Sequence, residues 1–134
     1  MCIFCKIVNG EIPSYKVYED ENFLAFLDIS QTTKGHTLVI PKKHFDNLLS
    51  LDDDISTQIF PIVKRISESV MKVTNAKGIN ILNNCGEAAG QSVMHFHIHI
   101  IPRYGNDSFS INFASNNYSN EELTTLAKTI KEEI

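Results

Sequence analysis

The chain has 134 residues, of which 43% are hydrophobic and 21% charged, and its formal net charge is −4 with five histidines counted neutral. That length fits one domain with a core that needs no crosslinks. The acidic balance argues against a nucleic-acid polymer as partner, while a small anion held by a few local donors stays open. No basic segment followed by an apolar one opens the chain, and no apolar run approaches the roughly 20 residues that cross a bilayer. The expectation is a cytoplasmic protein with no membrane partner. The cysteines are three, and two of them sit in Cys2-Ile3-Phe4-Cys5. An odd count with a close pair suits a metal clamp in a reducing compartment better than a disulfide framework, and leaves Cys85 over.

In chain order, Ile3-Phe4 and Ile7-Val8 recur at helical spacing and are closed by Gly10 and Pro13, which predicts a short N-terminal helix. Residues 15–18 and 23–27 read as strands joined by a polar turn, and residues 37–40 as a third that ends at Pro41, a residue with no N–H for a ladder. Ser50-Leu51-Asp52-Asp53 resembles a capping box ahead of Ile55, Ile59, Ile62, Val63, Ile66, Val70 and Val73, so the main helix covers 55–73. Pro61 should bend it or start a second segment. Residues 78–82 and 93–101 are further strands around the loop 83–92. Residues 104–118 carry little periodicity. Ser119-Asn120-Glu121-Glu122 is a second capping box, leading into a final amphipathic helix with Leu123, Leu126, Ile130 and Ile134 on one side. Short strands with helices between and after them give an α+β domain with a mostly antiparallel sheet, without internal repeats.

On a strand, side chains alternate between faces, so His95, His97 and His99 share one face and Phe96, Ile98 and Ile100 the other. Rings two residues apart should lie roughly 6.5–7 Å from one another, in a row suited to one extended ligand. Packing gains nothing from imidazole over valine or threonine at three such positions. A catalytic zinc held by the three histidines is a second reading, weakened because neighbouring rings must converge to share one ion.

The motif His95-Phe96-His97-Ile98-His99-Ile100-Ile101, preceded by Gly90-Gln91-Ser92, resembles that of the histidine triad (HIT) superfamily, in its branch of nucleoside phosphoramidase-like hydrolases with an N-terminal zinc. Asp28-Ile29, the run Gly35-His36-Thr37-Leu38-Val39-Ile40-Pro41-Lys42-Lys43-His44 and Phe4-Cys5-Lys6-Ile7 carry the same resemblance, which covers most of residues 2–103 and leaves 104–134 as an extension. The resemblance implies a single HIT-like domain: about five strands, a central helix, a short N-terminal helix and a C-terminal one, in a two-fold dimer.

It also implies roles. His97 attacks the α-phosphorus of a purine nucleotide and forms a nucleotidyl-imidazole that water hydrolyses, a route that splits one hard displacement into two. His99 orients the nucleophile or phosphate, His36 contacts phosphate oxygens, and Ser92 assists the leaving group. Asn84, Gly90 and Gln91 belong to the phosphate loop, Asp28 accepts from the ribose hydroxyls, and Phe4, Ile7, Phe26 and Ile29 form the slot for the base. Cys2, Cys5, His44 and His95 make a closed Cys₂His₂ set for a structural zinc. The leading expectation is hydrolysis of nucleoside phosphoramidates or related adenylates. Cleavage of dinucleoside polyphosphates uses the same nucleophile with another leaving group, and a nucleotide-binding scaffold that regulates a partner without catalysis is the alternative of another class.

Overall fold

The structure, a computed structural model, describes residues 2–134. Helix α1 (Ile3–Val8) is followed by strands β1 (Lys16–Glu19), β2 (Phe23–Leu27) and β3 (Thr37–Pro41), helix α2 (Asp53–Thr74), strands β4 (Gly78–Leu82) and β5 (Ile98–Arg103), and helix α3 (Asn120–Glu133). The five strands form one antiparallel sheet in the order β1-β2-β3-β5-β4, so the expected α+β arrangement is present.

Period-two alternation divides the core between the two faces of the sheet. Phe23, Ala25, Val39, Ile98 and Ile100 pack with Ile59, Ile62, Val63 and Ile66 of α2, whereas Leu24, Phe26, Leu38 and Ile40 point the other way and pack with Phe4 and Ile7 of α1. Leu38 pairs directly with His99, which puts that ring on the α1 face.

Several boundaries differ from the sequence expectation for identifiable reasons. The strand expected over 93–101 begins only at Ile98. Continuing the β3–β5 register would set Phe96 opposite Pro41, which has no N–H, and the Phe96 N–H instead donates to the Phe45 carbonyl at 2.7 Å. Residues 95–97 therefore leave the ladder, although Phe96 still packs in the α2-side core. The α2 helix starts at Asp53, and its N-cap Asp52 makes no side-chain cap bond. Ser50 is committed elsewhere: it closes a capping box with Asn47 around the 3-10 turn Leu48–Ser50. The helix runs unbroken through Pro61 for 22 residues. Pro61 is exposed, so the carbonyl it leaves without a partner faces the solvent side, while buried Ile59, Ile62, Val63 and Ile66 hold both halves to the sheet. Strand β1 is shifted by one residue, with an irregular register between Lys16 and Tyr18. The capping box at Ser119 and the helix after it appear as expected.

Gly35, just before His36, has a φ of +100°, and a Cβ there would meet Thr74 Cγ2 at 3.0 Å and Pro102 Cγ at 3.2 Å. Gly35→Ala is expected to lower stability by roughly 1–3 kcal/mol through backbone strain alone. A urea-denaturation midpoint equal to that of the parent would contradict this.

Candidate active site and metal-binding cluster

Two histidine clusters form where β3 and β5 meet α1. In the first, His97 is buried with Phe4 standing edge-on to its ring, at 5.1 Å between centroids, and His99 at 4.9 Å. These rings are closer than strand spacing predicts because His97 precedes the ladder, where regular strand geometry no longer sets the separation.

Hydrogen bonds assign the protons. A backbone carbonyl can only accept, so His97 Nδ1 at 2.7 Å from the His95 carbonyl carries a hydrogen, and Nε2 of the neutral ring keeps its lone pair. The Thr32 N–H donates to His36 Nδ1 at 3.2 Å, so His36 carries its hydrogen on Nε2 and donates it to His99 Nδ1 at 2.9 Å. His99 is thereby left with its hydrogen on Nε2, a donor for an anion. Asp28 Oδ2 stands 3.7 Å from His36 Nε2, and Oδ1 accepts the Ser30 N–H at 2.8 Å, which also makes Asp28 a turn residue. Asp28, His36 and His99 lie close enough together to be a second metal-capable group.

The second cluster brings together Cys2, Cys5, His44 and His95, drawn from α1 and its N-cap, the segment after β3 and the segment before β5. Their separations are 3.4 Å for Cys2 Sγ to His95 Nδ1, 3.4 Å for Cys5 Sγ to His44 Nδ1, 3.6 Å for Cys5 Sγ to His95 Nδ1, and 3.2 Å between the two Nδ1 atoms. His95 Nε2 donates to the Pro41 carbonyl and His44 Nε2 to Asp46 Oδ1, both at 2.8 Å. In the neutral rings both Nδ1 lone pairs thus face each other and two thiols. Two imidazole nitrogens and two sulfurs converging on one point are the donor set of a tetrahedral metal site. Zinc bond lengths of about 2.0–2.3 Å in a tetrahedron give ligand edges of about 3.3–3.7 Å.

The remaining expected residues are placed more variously. Phe4, Ile7 and Phe26 are buried in the α1-side core, but Ile29 is 85% exposed and does not join them. Gln91 is buried, and its amide is spent on the protein: Nε2 donates to the carbonyls of Asp46 and Val93, and Oε1 accepts the Gly86 N–H. It braces the loop instead of presenting its amide to a ligand. Asn84 Nδ2 bonds the Gly90 carbonyl at 3.4 Å, and Gly86 and Gly90 both take positive φ. Ser92 is exposed and lines a hollow of about 410 Å³ with Cys2, His44 and Asp46. Sequence reasoning missed Asn83, whose amide donates to the His97 carbonyl at 2.9 Å, and Asp46, which orients His44. The His44-x-Asp46 spacing was a usable signal for the second, since a ligating histidine needs an acceptor on its other nitrogen.

A model of the HIT domain family matches residues 9–106, a stretch that holds all five histidines. The chain belongs to the HIT family. It is 52% identical over 132 residues to Protein hit of Bacillus subtilis, spanning 96% of this chain and 91% of that protein. To adenosine 5′-monophosphoramidase hnt1 of Schizosaccharomyces pombe it is 40% identical over 134 residues, spanning 99% and 98%. The crystal structure of SMU.412c from Streptococcus mutans UA159 has a TM-score of 0.95 at 50% identity, over 98% of this chain and 84% of that one.

In this HIT protein burial is the largest influence on His36, His95, His97 and His99, and it pushes each below the ordinary histidine value. His99 falls furthest, to about 4, with His97 and His36 adding to the effect. A depressed folded-state pKa means that below about pH 6.5 the unfolded chain binds more protons than the folded one. Stability contributed by these neutral rings is therefore present above that pH and is lost as pH falls toward about 4. Urea midpoints measured over this window are expected to decline with acid, and His99→Gln should flatten the decline. An equal slope in both proteins would exclude His99 as a contributor.

Proposed function

We propose that this HIT protein is a nucleotide hydrolase that cleaves purine nucleoside phosphoramidates or related adenylates at the α-phosphorus, with His97 as nucleophile. The observation that carries the reading is the His97 ring: neutral, buried, and with Nδ1–H tied to the His95 carbonyl so that the Nε2 lone pair is the free one. Kinship with a relative named a monophosphoramidase supports the substrate class.

In the proposed reaction Nε2 of His97 attacks the α-phosphorus, and the bond from phosphorus to the leaving amine breaks as that amine takes up a proton, with the Ser92 hydroxyl assisting. Water then attacks the phosphorus, the phosphorus–Nε2 bond breaks, and the imidazole is restored with AMP released. His99, kept neutral by burial, donates its Nε2–H to a phosphate oxygen, and His36 fixes the His99 tautomer. Asp28 accepts from the ribose, Asn84 and Gly90 shape the phosphate loop that Gln91 braces, and Phe4, Ile7 and Phe26 with Ile29 at the rim bound the base. His97→Ala is expected to reduce turnover of adenosine 5′-phosphoramidate by about four orders of magnitude, as for the loss of a covalent nucleophile. AMP affinity should stay within about tenfold, because its contacts do not need the ring. Near-normal turnover by this variant would refute the mechanism.

Cys2, Cys5, His44 and His95 would hold a structural zinc, whose part is to crosslink α1 to the segments flanking β3 and β5 without occupying a substrate position. The lone-pair convergence and ligand-edge distances support this set. Protein purified without added metal is expected to carry about one zinc per chain by elemental analysis, and His95→Ala to lose both zinc and stability. Metal-free parent protein of full stability would overturn the assignment.

The protein is further proposed to be a cytoplasmic homodimer. Among the described residues no helix is long and apolar enough to cross a membrane. Phe60, Met71, Ile79 and Ile81 line an apolar hollow of about 570 Å³ between α2 and the edge strand β4, where a two-fold partner would sit.

A further inference from the structure

Asp46 is used twice, by parts of the molecule that belong to different sites. Its side chain is exposed, yet Oδ1 accepts the His44 Nε2–H at 2.8 Å, and its main-chain carbonyl accepts an Nε2–H of Gln91 at 2.7 Å. Gln91 is 2% exposed and has no water to fall back on, so the place of the Asp46 carbonyl decides the place of this amide. The rest of Gln91 holds the loop: Oε1 accepts the Gly86 N–H at 2.8 Å, and the Gln91 N–H donates to the Gly86 carbonyl at 3.1 Å. Gly86 and Gln91 thus close residues 86–91 into one turn, and Asp46 anchors that turn to the segment after β3.

What holds Asp46 differs on its two sides. Phe45 is buried in the α2-side core and its carbonyl takes the Phe96 N–H, which pins the chain just before Asp46. The His44 ring is tied through the metal-capable cluster, where Nδ1 lies 3.4 Å from Cys5 Sγ and 3.2 Å from His95 Nδ1. A cation joined to Nδ1 draws electron density from the ring, fixes its orientation and makes Nε2–H a stronger donor to the Asp46 carboxylate. We propose that Asp46 is a positioning residue through which the two sites are coupled: a zinc ion held by Cys2, Cys5, His44 and His95 and a nucleotide phosphate held by the loop 83–92 each strengthen the binding of the other. The proposal rests on the zinc set and the nucleotide reading above and adds the path between them. The His95 carbonyl also leads away from the metal-capable cluster, but it ends on the His97 ring and not on the loop. Binding linkage is reciprocal, so one factor, on the order of tenfold, applies in both directions.

The test is calorimetric titration of AMP into zinc-loaded and metal-free protein, with zinc affinity followed by competition with a chelator in the absence and presence of saturating AMP. AMP is expected to bind the zinc-loaded parent about tenfold more tightly, and zinc to gain about the same factor when AMP is saturating. Asp46→Ala removes the acceptor of His44 and leaves the main-chain carbonyl; it should still take up zinc, with the factor reduced to about threefold or less. Asp46→Asn keeps a side-chain oxygen for His44 and should retain most of the coupling. Hydrogen exchange supplies a readout that needs no metal-free protein: with zinc loaded, the amides of 86–91 should exchange at least about tenfold faster in Asp46→Ala than in the parent, while β2, β3 and β5 are unchanged. Equal AMP affinity with and without zinc, or a factor that Asp46→Ala leaves intact, overturns the role of Asp46 and leaves both sites standing. A parent that takes up no zinc overturns the metal set, one that binds no AMP in either form overturns the nucleotide reading, and either result removes the coupling with it.

Discussion

The backbone carbonyl of His95 accepts the Nδ1–H of His97 at 2.7 Å, and the chemistry available to His97 depends on where that carbonyl sits. His95 is fully buried and its ring is held at Nε2 and packed at Nδ1. Nε2 donates to the Pro41 carbonyl at the end of β3, and Nδ1 belongs to the cluster with Cys2, Cys5 and His44. The side chain that faces the metal-capable cluster and the carbonyl that sets the His97 tautomer are parts of one residue. Asn83 adds a second restraint by donating to the His97 carbonyl. Residues 95–97 lie outside the ladder, which begins at Ile98, so the His95 carbonyl and the His97 ring are placed by side-chain bonds and not by strand pairing.

Burial then settles the charge state. Removing imidazoles from water disfavours the cation, and neighbouring rings add to the effect at His99, whose pKa falls to about 4. A row of cations would attract a phosphate more strongly, but each would lack the lone pair that a nucleophile needs. Neutral rings with hydrogen-bond-assigned tautomers give the opposite arrangement: one lone pair at His97 Nε2 and one N–H at His99 Nε2. The relay that fixes the second starts at the backbone N–H of Thr32, so the turn after β2 takes part in setting which atom of His99 faces outward.

Much of this was legible in the sequence, and the parts that were not share a cause. The alternation of His95, His97 and His99 with Phe96, Ile98 and Ile100 survives in the structure even where the strand does not, because side-chain sorting between core and site constrains the chain more tightly than ladder pairing. The strand boundary was invisible because it depends on Pro41, a residue 54 positions from His95. The start of α2 was misread because Ser50 had a nearer competitor in Asn47, and a capping motif does not announce which of two turns will use it. Pro61 was tolerated because its position on the exposed side of α2 could not be read from local sequence without the packing of Ile59, Ile62, Val63 and Ile66. At Gln91 the residue type suggested an amide aimed at a ligand, but three internal hydrogen bonds hold it to the loop. A buried amide is costly to leave unpaired, so satisfaction within the protein takes precedence.

The C-terminal helix separates local from global information most clearly. Its start at Ser119 and its apolar spacing could be read directly, because capping and periodicity are properties of a dozen consecutive residues. What covers the stripe is not local, and the family match ends at residue 106, before the helix begins. The folded domain is therefore complete without α3 in the sense that both sheet faces are covered, by α2 on one side and α1 on the other. A helix held by neither core leaves its apolar side, Leu123, Leu126, Ile130 and Ile134, exposed. The elements that make the site and the element left over after the site is made thus answer to different constraints, the first to packing in the interior of the chain and the second to local capping and periodicity.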